Sequence, residues 1–312
     1  AVPKTGLEPV SLSAADFKSD VYTVPPLGPT PPRCGRAPDW QPGKAGGIRL
    51  RLALRTKPGF LPRMDRLAQT FARCKAEGRP AFVSYVCAGD PDVETSKAVL
   101  LSLAQNGADV LEVGVPFSDP LADGIVNQMA AERALKSGMT TARVLDLVRE
   151  FRKSHQTPIV LFTYLNPIFT YGFDSFHHDA AAAGADGILL LDLPPDEAAH
   201  NDDLAGGSGL KTIRLIAPTT PPDRAAALAR SAQGFIYALS RTGVTGAHGG
   251  PSANIASMVA AIKQHTDVPV CVGFGISTPE QAANIARVAD GVVVGSAIVE
   301  LVAQHGASAA SP

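Results

Sequence analysis

The sequence predicts an α/β protein: a (β/α)8 barrel over residues 64–304, with an extension before it and a short tail, 305–312, after it. Three observations carry this. Short β-branched apolar runs alternate with helical patterns eight times over about 245 residues, and strict alternation calls for a parallel sheet. The runs are apolar at nearly every position, as in strands buried on both faces. Units of about thirty residues fit a closed barrel better than an open, doubly wound sheet. No Gly-x-Gly-x-x-Gly follows the first run, which disfavours a dinucleotide fold.

Residues 1–63 hold eleven prolines, including Pro25-Pro26 and Pro31-Pro32, and little periodic hydrophobicity. They read as a disordered extension. Arg49, Arg51, Arg55 and Arg63 lie in an acid-free stretch with the basic character of an organelle transit segment. Glu8, Asp16 and Asp20 upstream, and a helix directly after Met64, favour instead upstream sequence ahead of a start at Met64.

A first helix over 67–76 places Leu67, Phe71 and Cys74 about one turn apart. The order then runs: strand 81–86, helix 93–105 ended by Gly107, strand 110–115, and helix 140–154 capped by Thr140 or Thr141. Strand 159–164 follows, with Asn166-Pro167 as a breaker, then helix 174–183, stopped by Gly184, and strand 187–193. Pro194-Pro195 turns the chain into a helix at Asp196. That helix reads as short, because Asn201-Asp202-Asp203 and the glycine-rich 206–209 interrupt it. Strand 212–217 and a helix from Pro221-Pro222 to Ala232 come next. Strand 235–239, helix 253–263, strand 268–274, helix 279–288 capped by Thr278, strand 291–294 and helix 296–304 complete the pattern.

The net charge of −1, with 45% hydrophobic and 18% charged residues, gives no basic excess for nucleic acid and no acidic tail. No run of about 18 apolar residues could span a membrane. A cytoplasmic protein is expected, or a plastid one if residues 1–63 are a transit segment. Cys34, Cys74, Cys87 and Cys271 lack metal-site spacing. Cys87 and Cys271 read as buried free thiols, which fits a reducing compartment. Adjacent His177 and His178 cannot share a helix face as ligands and read as solvated surface. No metal site is expected.

Chemistry is expected at the C-terminal ends of the strands. The second strand carries Glu112 inside an apolar run, where a carboxylate is costly to bury. Eleven residues on, Asp123 sits in a loop of turn-formers. Two acids at one strand exit suit general acid–base work, although an ion pair of Glu112 with a core Arg or Lys fits the residue types equally well. Gly273-Phe274-Gly275 after the seventh strand and Gly295-Ser296 after the eighth resemble a barrel phosphate site. There glycines permit close backbone approach and a helix N-terminus offers free N–H groups. The glycine-rich loop 243–250 after the sixth strand reads as a mobile lid that Arg241 and Thr245 could order, or as an ordinary solvent loop.

The runs LEVGVPFSDPLADG, NPIFTYGFDSF, DLPPDEA, SRTGVTGA, GFGIS and VGSAIV together resemble the tryptophan synthase alpha subunits, over about Met64 to Gln304. The resemblance implies a (β/α)8 TIM barrel and a lyase. Its reaction is retro-aldol cleavage of indole-3-glycerol phosphate to indole and glyceraldehyde 3-phosphate in tryptophan biosynthesis. It also implies the roles. Glu112 protonates indole C3 and helps remove the glycerol hydroxyl proton. Asp123 binds the indole N–H, and Thr245 positions it. Tyr85, Tyr237 and Phe274 line the pocket, and Gly246, Gly275, Gly295 and Ser296 bind phosphate. No cofactor is implied in this chain. Pyridoxal phosphate belongs to a beta-subunit partner in an α2β2 complex, with the loop around Ser118-Asp119-Pro120 at the communication surface. One departure stands out. Where the family has a Pro-x-Ile-Gln run, this chain has Ile125-Val126-Asn127-Gln128, so an amide borders the indole pocket. A stand-alone indole-3-glycerol phosphate lyase and a non-catalytic allosteric subunit are the competing functions. Keeping both Glu112 and Asp123 argues against the latter, and the second-strand motif does not favour a sugar-phosphate isomerase.

Overall fold

A computed structural model describes residues 65–240, 251–273, 275–306 and 308 of the chain. The expectations for residues 1–63 and for the loop 243–250 lie outside the described residues.

Helix α1 (Arg66–Ala76) precedes strand β1 (Ala81–Cys87). Then come α2 (Val93–Gln105), β2 (Val110–Gly114), α3 (Ile125–Lys136), α4 (Thr141–Arg152) and β3 (Ile159–Thr163). Next are α5 (Leu165–Tyr171), α6 (Phe173–Ala183), β4 (Gly187–Leu190), α7 (Ala199–Ser208), β5 (Lys211–Thr212) and β6 (Arg214–Ile216). Helix α8 (Pro222–Ser231), β7 (Ile236–Leu239), α9 (Pro251–Lys263), β8 (Val270–Gly273), α10 (Pro279–Ala286), β9 (Gly291–Val294) and α11 (Ser296–His305) complete the order.

The strands form one parallel sheet in the order β5-β4-β3-β2-β1-β9-β8-β7-β6. Its two ends are consecutive in sequence. The predicted fifth strand is split: Lys211–Thr212 pairs with β4 and Arg214–Ile216 pairs with β7. The chain changes partner at Ile213, whose N–H still bonds to the Ile188 carbonyl at 2.9 Å. The sheet thus curls into a nearly closed barrel through this one kinked segment.

Period two sets the interior. Val83, Val110, Val160, Ile213, Tyr237, Cys271 and Val293 form an inner cluster with Leu67, Phe71 and Cys74 of α1. Helix α1 is therefore packed on the barrel interior, with Phe71 and Phe235 ring centroids 5.8 Å apart. Ion pairs Arg66–Asp186 and Arg73–Asp109 tie it to residues that precede β4 and β2. Two further clusters fill the space between strands and outer helices.

Four expectations are corrected. Helix α3 was not among the predicted elements. Asn166-Pro167 does not break the chain but lies in the first turn of α5, where the N–H that proline lacks has no helical partner anyway. Helix α7 runs unbroken through Asn201-Asp202-Asp203 and Gly206-Gly207 to Ser208. His177 is not solvated. It is fully buried on α6, with ring nitrogens 2.8 Å from the Phe173 carbonyl and from Asn201 Oδ1. That contact also gives the buried Asn201 of α7 a partner. Cys74, Cys87 and Cys271 are buried free thiols, as expected for the last two.

Candidate active site

Glu112 lies two residues after the inward-facing Val110, so it too faces the interior. Its neighbours across the ladders are Tyr85 on β1 and Val160 on β3. Glu112 is fully buried, and among the described residues neither carboxyl oxygen has a hydrogen-bond partner. The alternative of a structural ion pair therefore finds no support there. Burial pushes its carboxyl up to about 8, because a charge without partners is strongly disfavoured away from water. At neutral pH Glu112 is mostly a neutral acid.

Asp123 is set by its surroundings instead. The Tyr164 hydroxyl donates to Asp123 Oδ2 at 2.8 Å and accepts from the Ala122 N–H at 3.0 Å. With that N–H occupying an acceptor lone pair, the phenol proton points at the carboxylate. Gln128 Nε2 donates to the Asp123 carbonyl at 2.8 Å. Burial raises the Asp123 carboxyl, while the Tyr164 hydroxyl and the Asn127 amide oppose that rise. Two acids, one neutral and one held by donors, thus share one region.

A cavity of about 280 Å³ is lined by Tyr85, Glu112, Asn127, Phe162, Tyr237 and, at its other end, Gly275, Gly295 and Ser296. Gly124, which follows Asp123, is also on its wall. The Tyr85 and Phe162 rings meet edge-on at 5.0 Å, which gives an aromatic wall beside Glu112. Burial raises the Tyr85 and Tyr237 hydroxyls well above their ordinary value, so both stay neutral donors. Each phenol sits over a glycine of the next strand: a methyl group on Gly114 would come within 2.5 Å of the Tyr85 hydroxyl, and one on Gly273 within 2.6 Å of that of Tyr237. Gly275 has φ +71°, the left-handed region that glycine tolerates. Helix α11 begins after Gly295, which has no side chain to cover the amides of its first turn. This end of the cavity can receive an anion.

Six predicted site residues thus line one cavity, with Asp123 at its edge. Arg241, Thr245, Gly246 and Phe274 lie outside the described residues. Sequence reading missed Tyr164 and Phe162. The available signal was their position at the exit of the third predicted strand, the face where barrel sites form. Among the described residues no group of three or more His, Cys, Asp or Glu side chains is placed to hold a metal ion.

The profile of the family described as "Tryptophan synthase alpha chain" matches residues 71–311. The chain belongs to the tryptophan synthase alpha chain family. The alpha chain of Geobacter sulfurreducens is 53% identical over 238 residues, covering 76% of this chain and 90% of that one. That of Opitutus terrae is 50% identical over 242 residues, covering 78% and 91%. Among solved structures, tryptophan synthase from M. tuberculosis in an aminoacrylate-bound form aligns with a TM-score of 0.71 at 38% identity, covering 78% of this chain and 94% of that chain. The alpha subunit from Legionella pneumophila str. Paris aligns with a TM-score of 0.71 at 40% identity, covering 77% and 90%. The (β/α)8 expectation and the family resemblance are both borne out. As a member of the family the chain is a lyase of tryptophan biosynthesis that cleaves indole-3-glycerol phosphate.

Proposed function

We propose that Glu112 and Asp123 carry out this cleavage as an acid–base pair, with phosphate held by Gly275, Gly295 and Ser296. The observation that carries the assignment is the buried Glu112 on the cavity wall, whose carboxyl oxygens have no hydrogen-bond partner among the described residues. Protonated Glu112 gives its proton to indole C3, which becomes tetrahedral while the ring nitrogen gains positive charge. The Asp123 carboxylate, held by Tyr164, accepts the indole N–H and stabilises that charge. Glu112, now a carboxylate, takes the proton of the glycerol hydroxyl. The C–C bond breaks, its electron pair returns to the ring, and indole and glyceraldehyde 3-phosphate result. One carboxyl both gives and regains the proton, so the cycle closes without an outside acid. Thr245, Arg241, Gly246 and Phe274, assigned to the lid, the phosphate site and the indole wall by the sequence reading, lie outside the described residues.

We assign the chain a beta-subunit partner in an α2β2 assembly, which would hold the pyridoxal phosphate. Leu121, Ile125, Met129 and Phe169 support this. These large apolar side chains are 94%, 68%, 52% and 72% exposed and lie on the Asp123 loop, on α3 and on α5. Exposed large apolar groups suit protein docking. The buried free thiols and the bacterial relatives support a cytoplasmic location. No helix among the described residues is long and apolar enough to cross a membrane.

The test is indole release from indole-3-glycerol phosphate by the purified chain, with and without a tryptophan synthase beta subunit. Weak release alone and strong stimulation by the partner are expected. Full activity alone with no stimulation would point to a stand-alone lyase, and none in either case would overturn the assignment.

A further inference from the structure

We propose that Asn127 is a positioning and specificity-determining residue of this site: its amide N–H groups orient Asp123, and its Oδ1 accepts a hydrogen bond from the bound substrate. The inference rests on the lyase reading above and deepens it.

Asn127 stands in the first turn of α3, three residues after Gly124, and lines the same cavity as Glu112. Its side chain faces Asp123 and favours the ionised form there. A carboxylate has only acceptors to offer, so the amide nitrogen must be the atom turned towards it. That orientation directs Oδ1 away from Asp123, in keeping with its lack of a partner. Among the described residues Oδ1 is enclosed and has no partner. An enclosed carbonyl oxygen without a donor is costly. An apolar side chain would avoid the cost at this position. The amide is suited to a donor that arrives when the site is filled. The same cavity carries the hydroxyls of Tyr85, Tyr237 and Ser296 and the Glu112 carboxyl, and among the described residues none of them bonds to Oδ1.

The substrate offers two kinds of neutral donor, the indole N–H and the glycerol hydroxyls. Both would be recognised by the same chemistry, a carbonyl acceptor at the cavity wall. Donor-bearing ligands are favoured, and a ligand with no donor leaves Oδ1 unpaired, which is how such a group discriminates.

The experiment compares wild type with Asn127→Leu and Asn127→Asp in the assembled complex. Leucine is close in size, so the fold is expected to hold, checked by an unchanged melting temperature. Three quantities are read: KM for indole-3-glycerol phosphate, the acidic limb of kcat/KM against pH, and Ki for the analogue with a plain propyl chain in place of the glycerol. In Asn127→Leu we expect KM to rise about tenfold, as for one lost hydrogen bond, and the acidic limb to move to higher pH as Asp123 loses a donor. Asn127→Asp retains the acceptor but adds like charge beside Asp123, so its limb moves further still while KM measured above that limb stays nearer to wild type. A Ki that rises with KM assigns the donor to the indole N–H, and a rise in KM alone assigns it to a glycerol hydroxyl. A purely packing role would lower the melting temperature and leave the limb in place. KM, Ki and limb all within twofold of wild type in Asn127→Leu would overturn the inference. Wild-type failure to cleave the substrate would instead overturn the lyase reading.

Discussion

A buried carboxyl group without a hydrogen-bond partner is pushed towards its neutral form, and among the described residues Glu112 is such a group. Asp123, eleven residues along the same chain, is also raised by burial, but there donors oppose the rise. The difference between the two acids comes from their neighbours. Tyr164 is the neighbour whose removal should show this most clearly. In Tyr164→Phe, Asp123 loses a hydrogen bond to a charged group, worth about 1.5–3 kcal/mol. Indole release is expected to fall roughly ten- to a hundredfold in kcat/KM, and its acidic limb to move to higher pH. An unchanged limb would show that the Tyr164 contact does not set Asp123. Glu112 was legible in the sequence, because one acid in the run 110–115 interrupts an otherwise apolar pattern. What it does was not legible, since a buried cation on another strand would have left the same local pattern. Tyr164 was hidden for a related reason. Its bond to Asp123 spans 41 positions and exists only once the strands are side by side.

Helix α3 shows how an element can escape a pattern search. Its buried residues are Ala130, Ala131 and Ala134, while Ile125 and Met129 are exposed. The large apolar groups thus lie off the core face, and the small ones that pack give a weak periodic signal. The same inversion fits the assigned docking surface. In the last turn of α3, Arg133 grips the buried Asp90 with both Nε and Nη2, at 2.7 and 2.8 Å. This pins the helix that carries Asn127 to the loop after β1. Arg133→Met is expected to leave Asp90 buried and unpaired and to cost about 3 kcal/mol, read as a lower urea midpoint. Its KM should rise as α3 loosens, and a wild-type urea midpoint would contradict that role. Strands β1, β2 and β9 matched their predicted runs closely because each is mostly apolar, broken only by Ser84 in β1 and by Glu112 and Gly114 in β2. The split of the fifth strand at Ile213 was invisible, since Thr212, Ile213 and Leu215 are all strand-forming types. Closure of the sheet, not local preference, decides where the partner changes.

At the scale of the whole molecule, the site residues pull stability and activity in opposite directions. The Glu112 carboxyl titrates near 8 when folded and near 4.5 when unfolded. Stability tied to its proton is complete below about 4.5 and is lost as pH rises through about 8. Glu112→Gln should therefore melt at a higher temperature than wild type at pH 9 and at a similar one at pH 4.5. At the opposite extreme, Asp109 is raised by burial but held down to about 2 by Arg79 and the Phe82 N–H. Its stability is present above its ordinary unfolded value and lost as pH falls through about 2. The barrel face that binds and the barrel face that stabilises thus titrate at different ends of the scale. Most of the barrel order was legible from alternation alone, and the motif around Glu112 located the active face. The depth of Glu112 and the Tyr164 and Asn127 contacts came only from packing. The central claim is that Glu112 is the neutral acid of the reaction. It is tested most directly by the pH profile of indole release for wild type, Glu112→Gln and Asp123→Asn in the assembled complex. Wild type should lose activity above about pH 8 as Glu112 ionises, and both variants should fold yet lose at least about a hundredfold in turnover. Near-wild-type turnover in Glu112→Gln, with the same alkaline limb, would contradict it.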